Sequence, residues 1–270
     1  MLRRVTLMGL VLIATAGDAG GQVRCDEVGH RRIHACAYAG EGPTLVLAAG
    51  AGQDSRTWTP LVALLNARSA VVTFDRPGFG QSPDAEGPRT PTVIAREIRD
   101  VLSHFGVSGP LVLVGHSMGG VHVLRYADLY PEDVAGVVLL DTPPPGFEEE
   151  RLALLTAEER EQRGRALAEG RSRAPSAVGR ERDGAAAERW AFDHYPEERP
   201  LFVVVADHQD FGDLGSADAH RHLWMQRSSQ WLSLSQNSEL TIAEGSGHMV
   251  HHDRTQLVVD VIARLIDRVR

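Results

Sequence analysis

The fold of this chain is decided by the stretch Gly115-His116-Ser117-Met118-Gly119-Gly120. An apolar run from Gly109 to Val114 precedes it, and a helical pattern from Val121 to Tyr130 follows it. In a G-x-S-x-G turn between strand and helix the serine adopts a strained conformation, and the two glycines let both elements pass closely. The turn lifts the Ser117 hydroxyl clear of the sheet. It also leaves the Met118 N–H at a helix N-terminus, where a developing oxyanion can be held.

Length and composition indicate one globular domain. A chain of 270 residues can bury one large core, and a single domain with an insertion is the simplest organisation. Charged residues make up 24% and hydrophobic residues 43%, as in an ordinary globular protein. The formal net charge of −8 argues against nucleic acid as a partner.

Residues 1–19 have the pattern of a secretory signal peptide. A basic start is followed by an apolar run from Val5 to Ala16, and small residues suit cleavage after Ala16 or Ala19. The run is too short to span a bilayer comfortably, although an uncleaved anchor is the alternative. We therefore expect a secreted or periplasmic protein with no stable membrane insertion after the leader is removed.

The two cysteines, Cys25 and Cys36, flank a turn centred on Gly29. Residues 23–39 are predicted to form a β-hairpin, in which these cysteines face each other on adjacent strands. In an exported protein this arrangement favours a disulfide. Two buried thiols are the alternative if the leader is not a true signal.

Strand signals alternate with helical patterns along most of the chain. This order is typical of a mostly parallel sheet flanked by helices. The further predicted strands cover Pro43–Ala49, Ala70–Phe74, Val134–Leu140, Leu201–Ala206 and Leu240–Ala243, and the further helices cover about 91–105, 216–233 and 254–269.

The composition changes from Phe147 to about Glu198. Arg, Glu and Ala predominate there, which favours helices without strands, interrupted near 172–183. Trp190, Phe192 and Tyr195 are the apolar residues best placed to line a pocket, and each of them is equally compatible with a core position.

These features resemble the α/β-hydrolase family, in its serine-nucleophile branch. The stretch Asp75-Arg76-Pro77-Gly78-Phe79-Gly80-Gln81-Ser82 is similar to the family's D-x-x-G-x-G-x-S turn, in which Asp75 and Arg76 are expected to make local hydrogen bonds. The resemblance implies an eight-stranded, mostly parallel sheet flanked by helices, spanning residues 20–270. It also implies a helical cap inserted at about 146–198.

The resemblance further implies an oxyanion hole built from two backbone N–H groups. One is that of Met118, and the other is that of Ala51, in the loop after the third strand. The family often has His-Gly at the start of that loop, whereas Ala49-Gly50 stands here. Because the donor is a backbone group, this difference does not remove the hole.

A serine hydroxyl needs a base to accept its proton and a third group to orient that base. His248 lies in a short Gly/Ser loop after the last strand, where the family places its base. Asp141, after the strand that follows the elbow helix, and Asp210, after the next strand, are the two candidates for the acid. We favour Asp141, because the loop around Asp210 departs from the usual G-x-x-D form, and both remain open.

The other histidines receive structural interpretations. The ring of His116 cannot reach the neighbouring serine in the required geometry, and His251 and His252 are expected at the rim or surface. His220 and His222 form an H-x-H pair, which we interpret as solvated because no third metal ligand stands at a suggestive spacing. No metal site is predicted.

Serine at the elbow implies acyl transfer to water through an acyl-serine intermediate, with a small-molecule acyl substrate and no cofactor. Epoxide hydrolases and haloalkane dehalogenases of this fold carry aspartate there. Esterase, lipase-like, thioesterase, amidase and cofactor-free perhydrolase activities share the same residues. The alternative is a non-catalytic relative that binds a ligand or protein, although such relatives usually lack the serine or the histidine.

Overall fold

The computed structural model describes residues 22–173, 176–188, 192–210 and 214–270. Its described strands form one eight-stranded sheet in the spatial order β1-β2-β4-β3-β5-β6-β7-β8. Strand β2 is antiparallel to both of its neighbours, and all other pairs are parallel, which confirms the predicted fold. The strands are β1 (Val23–Val28), β2 (Ile33–Tyr38), β3 (Thr44–Ala48), β4 (Val71–Phe74), β5 (Leu111–His116), β6 (Val134–Leu140), β7 (Leu201–Ala206) and β8 (Ser238–Ala243).

Helices cover both faces of the sheet, because successive strand side chains point to opposite sides. Val46 and Leu113 face the core that contains the second and third helices, whereas Leu45 and Val112 face the core that contains the first and the last. The helices are α1 (Thr59–Leu65), α2 (Pro91–His104), α3 (Met118–Leu129), α4 (Phe147–Ala153), α5 (Ala157–Arg173), α6 (Ser176–Ala187), α7 (Ala217–Ser228), α8 (Val250–Asp253) and α9 (Thr255–Val269).

The N-terminal hairpin has the predicted pairing. Cys25 and Cys36 are register partners on β1 and β2, and a disulfide joins them. Residues 1–19, and with them the predicted signal peptide, lie outside the described residues. Within the ranges that the structure describes, no helix has the length and apolarity needed to cross a membrane.

The segment between β6 and β7 contains α4, α5 and α6. The expected interruption at 172–183 is wrong over most of its length, because α6 begins at Ser176. Gly184, just after the predicted interruption, lets α6 pack closely, since a Cβ there would lie 2.3 Å from the Arg89 carbonyl oxygen. Tertiary contact therefore outweighs the low helix propensity of glycine.

The aromatic residues of this segment occupy different environments. Tyr195 is buried in the core, whereas Phe192 is half-buried and packs edge-to-face on Trp231, with the ring centroids 5.7 Å apart. Trp190, the third candidate pocket residue, lies outside the described part of the chain.

Candidate active site

Ser117 occupies the sharp turn between β5 and α3. Its φ of 50° and ψ of −126° are unusual for a residue with a side chain and cost about 1–3 kcal/mol. The crossing is tight, since a Cβ on Gly115 would lie 2.5 Å from Gly120 Cα, and one on Gly119 would lie 2.1 Å from the Ala48 carbonyl oxygen. The G-x-S-x-G glycines are thus required by backbone contact, and they leave the Ser117 side chain at the carboxyl edge of the sheet.

His248 lies in the loop between β8 and α8 and bridges two side chains. Its Nε2 is 3.0 Å from Ser117 Oγ, and its Nδ1 is 2.6 Å from Asp141 Oδ2. The carboxylate accepts a hydrogen bond from Nδ1–H, so the lone pair of the neutral ring is on Nε2 and faces the serine hydroxyl. The His248 side chain is 41% exposed, which leaves the ring open to a ligand.

Asp141 follows β6 and is the buried member of this group. Its side chain is fully buried, and its φ of 46° turns it out of the strand. Oδ1 accepts hydrogen bonds from the Ala206 backbone N–H and from Trp224 Nε1, each at 3.0 Å. Oδ2 accepts from the Gln209 side-chain amide as well as from His248. These donors hold the carboxylate in one orientation against the histidine ring.

Asp210 is placed differently. It is exposed and lines the rim of the cavity above Ser117, while the His248 ring contacts Asp141. Of the two aspartates that the sequence left open, the structure brings Asp141 together with Ser117 and His248.

The two candidate oxyanion donors flank the serine. Met118 is the first residue of α3, so its N–H has no acceptor within the helix. The loop that carries Ala51 lies against the elbow, since a Cβ on Gly50 would be 3.2 Å from Ser117 Cβ. Their role in an oxyanion hole stays a prediction.

Arg76 is a residue whose importance the sequence did not reveal. Asp75 makes an expected local contact, accepting from the Gln81 backbone N–H at 2.8 Å, and it also accepts from that of Ser55, 20 residues earlier, at 2.7 Å. Arg76 instead reaches beyond its turn, to the loop after β3 and to Glu181 on α6. No sequence signal links positions 76 and 181, which are 105 residues apart.

Two histidines beside the site are buried. His116 donates from Nε2 to the His248 backbone carbonyl at 2.8 Å, and burial, followed by the charge of His248, lowers the pKa of His116 to about 4. The expectation of a rim position is wrong for His251, which is fully buried between His116 and Trp58. Burial lowers the pKa of His251 to about 2, so both rings are neutral supports of the His248 loop near pH 7.

The other histidines considered from the sequence include both exposed and buried residues. His252 is exposed, as expected, and its Nε2 lies 3.0 Å from the Thr57 carbonyl oxygen. The solvated interpretation of the H-x-H pair is wrong for His220, which is buried on α7, whereas His222 is exposed. Residues two positions apart on an α-helix point to nearly opposite sides, so when one histidine of the pair faces inward the other faces outward.

A cavity of about 630 Å³ opens above Ser117 and His248. Helices α4 and α6 supply part of its wall, including Phe147, Glu149 and Arg182. A neighbouring cavity of about 420 Å³ shares Pro143, Gly146 and Glu149 with it and has a largely apolar lining of Val121, Pro145, Ala185, Ala186, Phe192 and Trp231. The candidate site therefore has both an open mouth and an apolar side space.

Comparison with known proteins gives consistent similarities. The chain is 28% identical over 217 residues to the uncharacterized protein YqjL of Bacillus subtilis, covering 80% of this chain and 81% of that protein. It is 27% identical over 285 residues to esterase Rv0045c of Mycobacterium tuberculosis, covering 93% and 92%. Among solved structures, a thermophilic esterase from Thermogutta terrifontis has a TM-score of 0.60 at 20% identity, covering 92% of this chain and 99% of that one.

The match at the level of the family spans most of the chain. The sequence profile described as "Alpha/beta hydrolase family" matches residues 45–261, which include the elbow, the strand ends and the last loop. The sheet order and its single antiparallel strand agree with that match. The chain therefore belongs to the alpha/beta hydrolase family and is a hydrolase.

Proposed function

We propose that this hydrolase cleaves a carboxylic ester or related acyl compound through an acyl-serine intermediate on Ser117. The observation that carries the proposal is the position of the His248 ring, 3.0 Å from Ser117 Oγ and 2.6 Å from Asp141 Oδ2. That arrangement provides a nucleophile, a base and a group that orients the base. Similarity to an esterase along 93% of the chain supports the same reaction class.

The reaction follows from the hydrogen bonds. His248 Nε2 accepts the Ser117 hydroxyl proton as Oγ bonds to the substrate carbonyl carbon, and Asp141 stabilises the imidazolium that forms. The backbone N–H groups of Ala51 and Met118 hold the carbonyl oxygen as its negative charge develops. His248 then donates its proton to the leaving alcohol. Water, activated by the same ring, cleaves the acyl-serine and regenerates the hydroxyl.

The substrate is proposed to be a small molecule with an acyl group. The cavity of about 630 Å³ has the size of a small-ligand site, and its apolar neighbour suits a hydrocarbon acyl group. The net charge of −8 continues to argue against nucleic acid as a partner.

The test is a panel of p-nitrophenyl esters of graded acyl length, together with a fluorophosphonate probe that labels activated serines. Wild-type protein should hydrolyse at least one ester and be labelled at Ser117. Ser117→Ala should keep its fold and lose turnover by about 10⁴-fold or more, since the nucleophile is absent. Retention of a tenth of the activity in this variant would disprove the role of Ser117. Absence of both labelling and turnover in the wild type would favour a non-catalytic binding protein.

We also propose that the protein is exported to a secreted or periplasmic location. The pattern of residues 1–19 and the Cys25–Cys36 disulfide support this location, since such bonds persist in oxidising compartments. Intact mass of the secreted protein should show cleavage after Ala16 or Ala19 and the loss of two hydrogens. A full-length product with two reactive thiols would contradict the proposal.

A further inference from the structure

The peptide bond between Gly50 and Ala51 is held from its carbonyl side. Arg76 donates from Nη1 to the Ala49 carbonyl oxygen at 2.7 Å and from Nη2 to the Gly50 carbonyl oxygen at 2.8 Å. This peptide is trans, so its C=O and N–H point in opposite directions within one plane. A guanidinium that fixes the Gly50 carbonyl therefore also fixes the direction of the Ala51 N–H.

Arg76 is in turn held by Glu181 on α6. The third nitrogen of the guanidinium, Nε, donates to Glu181 Oε1 at 2.8 Å. The Arg76 side chain is 1% exposed and that of Glu181 is 0% exposed. Arg89 Nη2 lies 3.7 Å from the same oxygen. Burial raises the pKa of the Glu181 carboxyl, but the surrounding charges, that of Arg76 first among them, outweigh burial and leave the pKa below its usual value. The carboxylate is thus charged and compensated at neutral pH.

The same face of α6 packs directly on the loop. Ala177 and Val178, one turn before Glu181, form a small apolar cluster with Phe79, and Ala51 packs against it. Residues three and four apart lie on one side of a helix, so the apolar contact and the carboxylate act on the loop together. The helical segment between β6 and β7 is therefore joined to the loop that carries the Ala51 N–H.

We propose that Glu181 is a positioning residue for the oxyanion hole, acting through Arg76 to aim the Ala51 N–H at the carbonyl oxygen of the substrate. This inference rests on the proposed serine hydrolase function. Without the Glu181 charge, the Arg76 guanidinium keeps its two carbonyl acceptors, but it loses its buried counter-charge and its Nε–H bond is weakened. The Gly50–Ala51 peptide then loses its fixed orientation, and transition-state stabilisation falls while substrate binding in the cavity is retained.

The test measures kcat, KM and the affinity for an aryl boronic acid, which forms a tetrahedral adduct with an active serine. Glu181→Gln should lower kcat about 10- to 100-fold with KM within about threefold, since loss of one oxyanion donor costs about 10²–10³. Arg76→Lys keeps the charge but loses the planar fork, and it should do the same. Boronate affinity should fall in parallel with kcat.

A double-mutant cycle tests whether Glu181 acts through Arg76. If it does, the variant carrying both Glu181→Gln and Arg76→Lys should be no less active than the less active of the two single variants. Multiplied losses would overturn the coupling. Should Glu181→Gln fail to fold, Arg76→Lys decides alone, and an unchanged kcat in that variant would overturn the inference.

Glu97→Gln is the matched control. Glu97 is a buried carboxylate on α2 that pairs with Arg89, at 2.9 Å for one of its two hydrogen bonds, and with Arg31 at 3.4 Å. Its loss should lower the melting temperature as much as Glu181→Gln does, with kcat within about twofold of the wild type. Equal kcat losses in Glu97→Gln and Glu181→Gln would reduce Glu181 to a structural residue and overturn the inference. An active Ser117→Ala would instead disprove the proposed function itself.

Discussion

Strands β6 and β7 are parallel and end at the same edge of the sheet. The loop after each strand carries an aspartate that the sequence offers as the acid. Asp141, after β6, is fully buried and accepts hydrogen bonds from three groups besides His248. Asp210, after β7, is exposed at the rim of the cavity. The difference teaches that position after a strand does not decide which carboxylate contacts His248, and that the surrounding donors hold Asp141 against the ring.

The largest effect is expected from replacing each of the two aspartates by asparagine, one at a time. Asp141→Asn should lower kcat by about 10⁴, because an amide stabilises the wrong tautomer of His248 and cannot stabilise the imidazolium. Asp210→Asn is the matched control and should stay within about twofold. Steady-state kinetics on the preferred ester decides, and the reverse pattern would transfer the role to Asp210.

A second effect isolates one donor to Asp141. Trp224→Phe removes the Nε1 hydrogen bond to Oδ1 while keeping an aromatic ring against Phe147. We expect a loss of about tenfold in kcat and about 1–2 kcal/mol in the free energy of unfolding, since a buried charged acceptor loses a donor. Trp231→Phe is the control, because its Nε1 makes a long bond of 3.5 Å to a backbone carbonyl, and both variants are assayed on an acetyl ester because Trp231 lines the apolar side space. Equal effects on kcat would show that Trp224 only fills space.

A smaller effect tests what the loop after β7 contributes. Gln209 donates its side-chain amide to Asp141 Oδ2, next to the His248 contact, and is partly exposed. Gln209→Ala should lower kcat about threefold, since water can replace part of the lost bond. An increase in KM without a change in kcat would instead place Gln209 in substrate binding.

The smallest effect concerns Asp207, which joins the β7 loop to the loop of His248. Hydrogen bonds, from the Gly245 backbone N–H first and then from Arg221, hold the pKa of this carboxyl below its usual value. A carboxyl whose pKa is lower in the folded than in the unfolded state stabilises the folded state at pH values above its unfolded pKa, which is about 4. This stabilisation is lost as the pH falls through the pKa of the folded state. Asp207→Asn should therefore lower the melting temperature slightly at pH 7, and the difference should disappear in acid, once the carboxyl is protonated in the folded state. A pH-independent difference would contradict this linkage.

Much of the fold was predictable because its signals are local. The apolar runs of β3, β4, β6 and β7 have the length and flanking turns of buried strands, and the hairpin spacing predicted the Cys25–Cys36 pairing that the structure contains. The start of α6 at Ser176 was not predictable, since this helix packs on distant parts of the chain, as Gly184 does on the Arg89 backbone.

The candidate site divides along the same line. Ser117 and His248 stand in short motifs whose backbone requirements, a strained turn between glycines and a Gly/Ser loop after the last strand, are visible in the sequence alone. The union of Asp141 with His248, the burial of His251 and the contact of Arg76 with Glu181 join segments far apart in the chain. Each of these contacts depends on which polar or charged group is buried and on which donors surround it. Only the packed tertiary structure decides that burial.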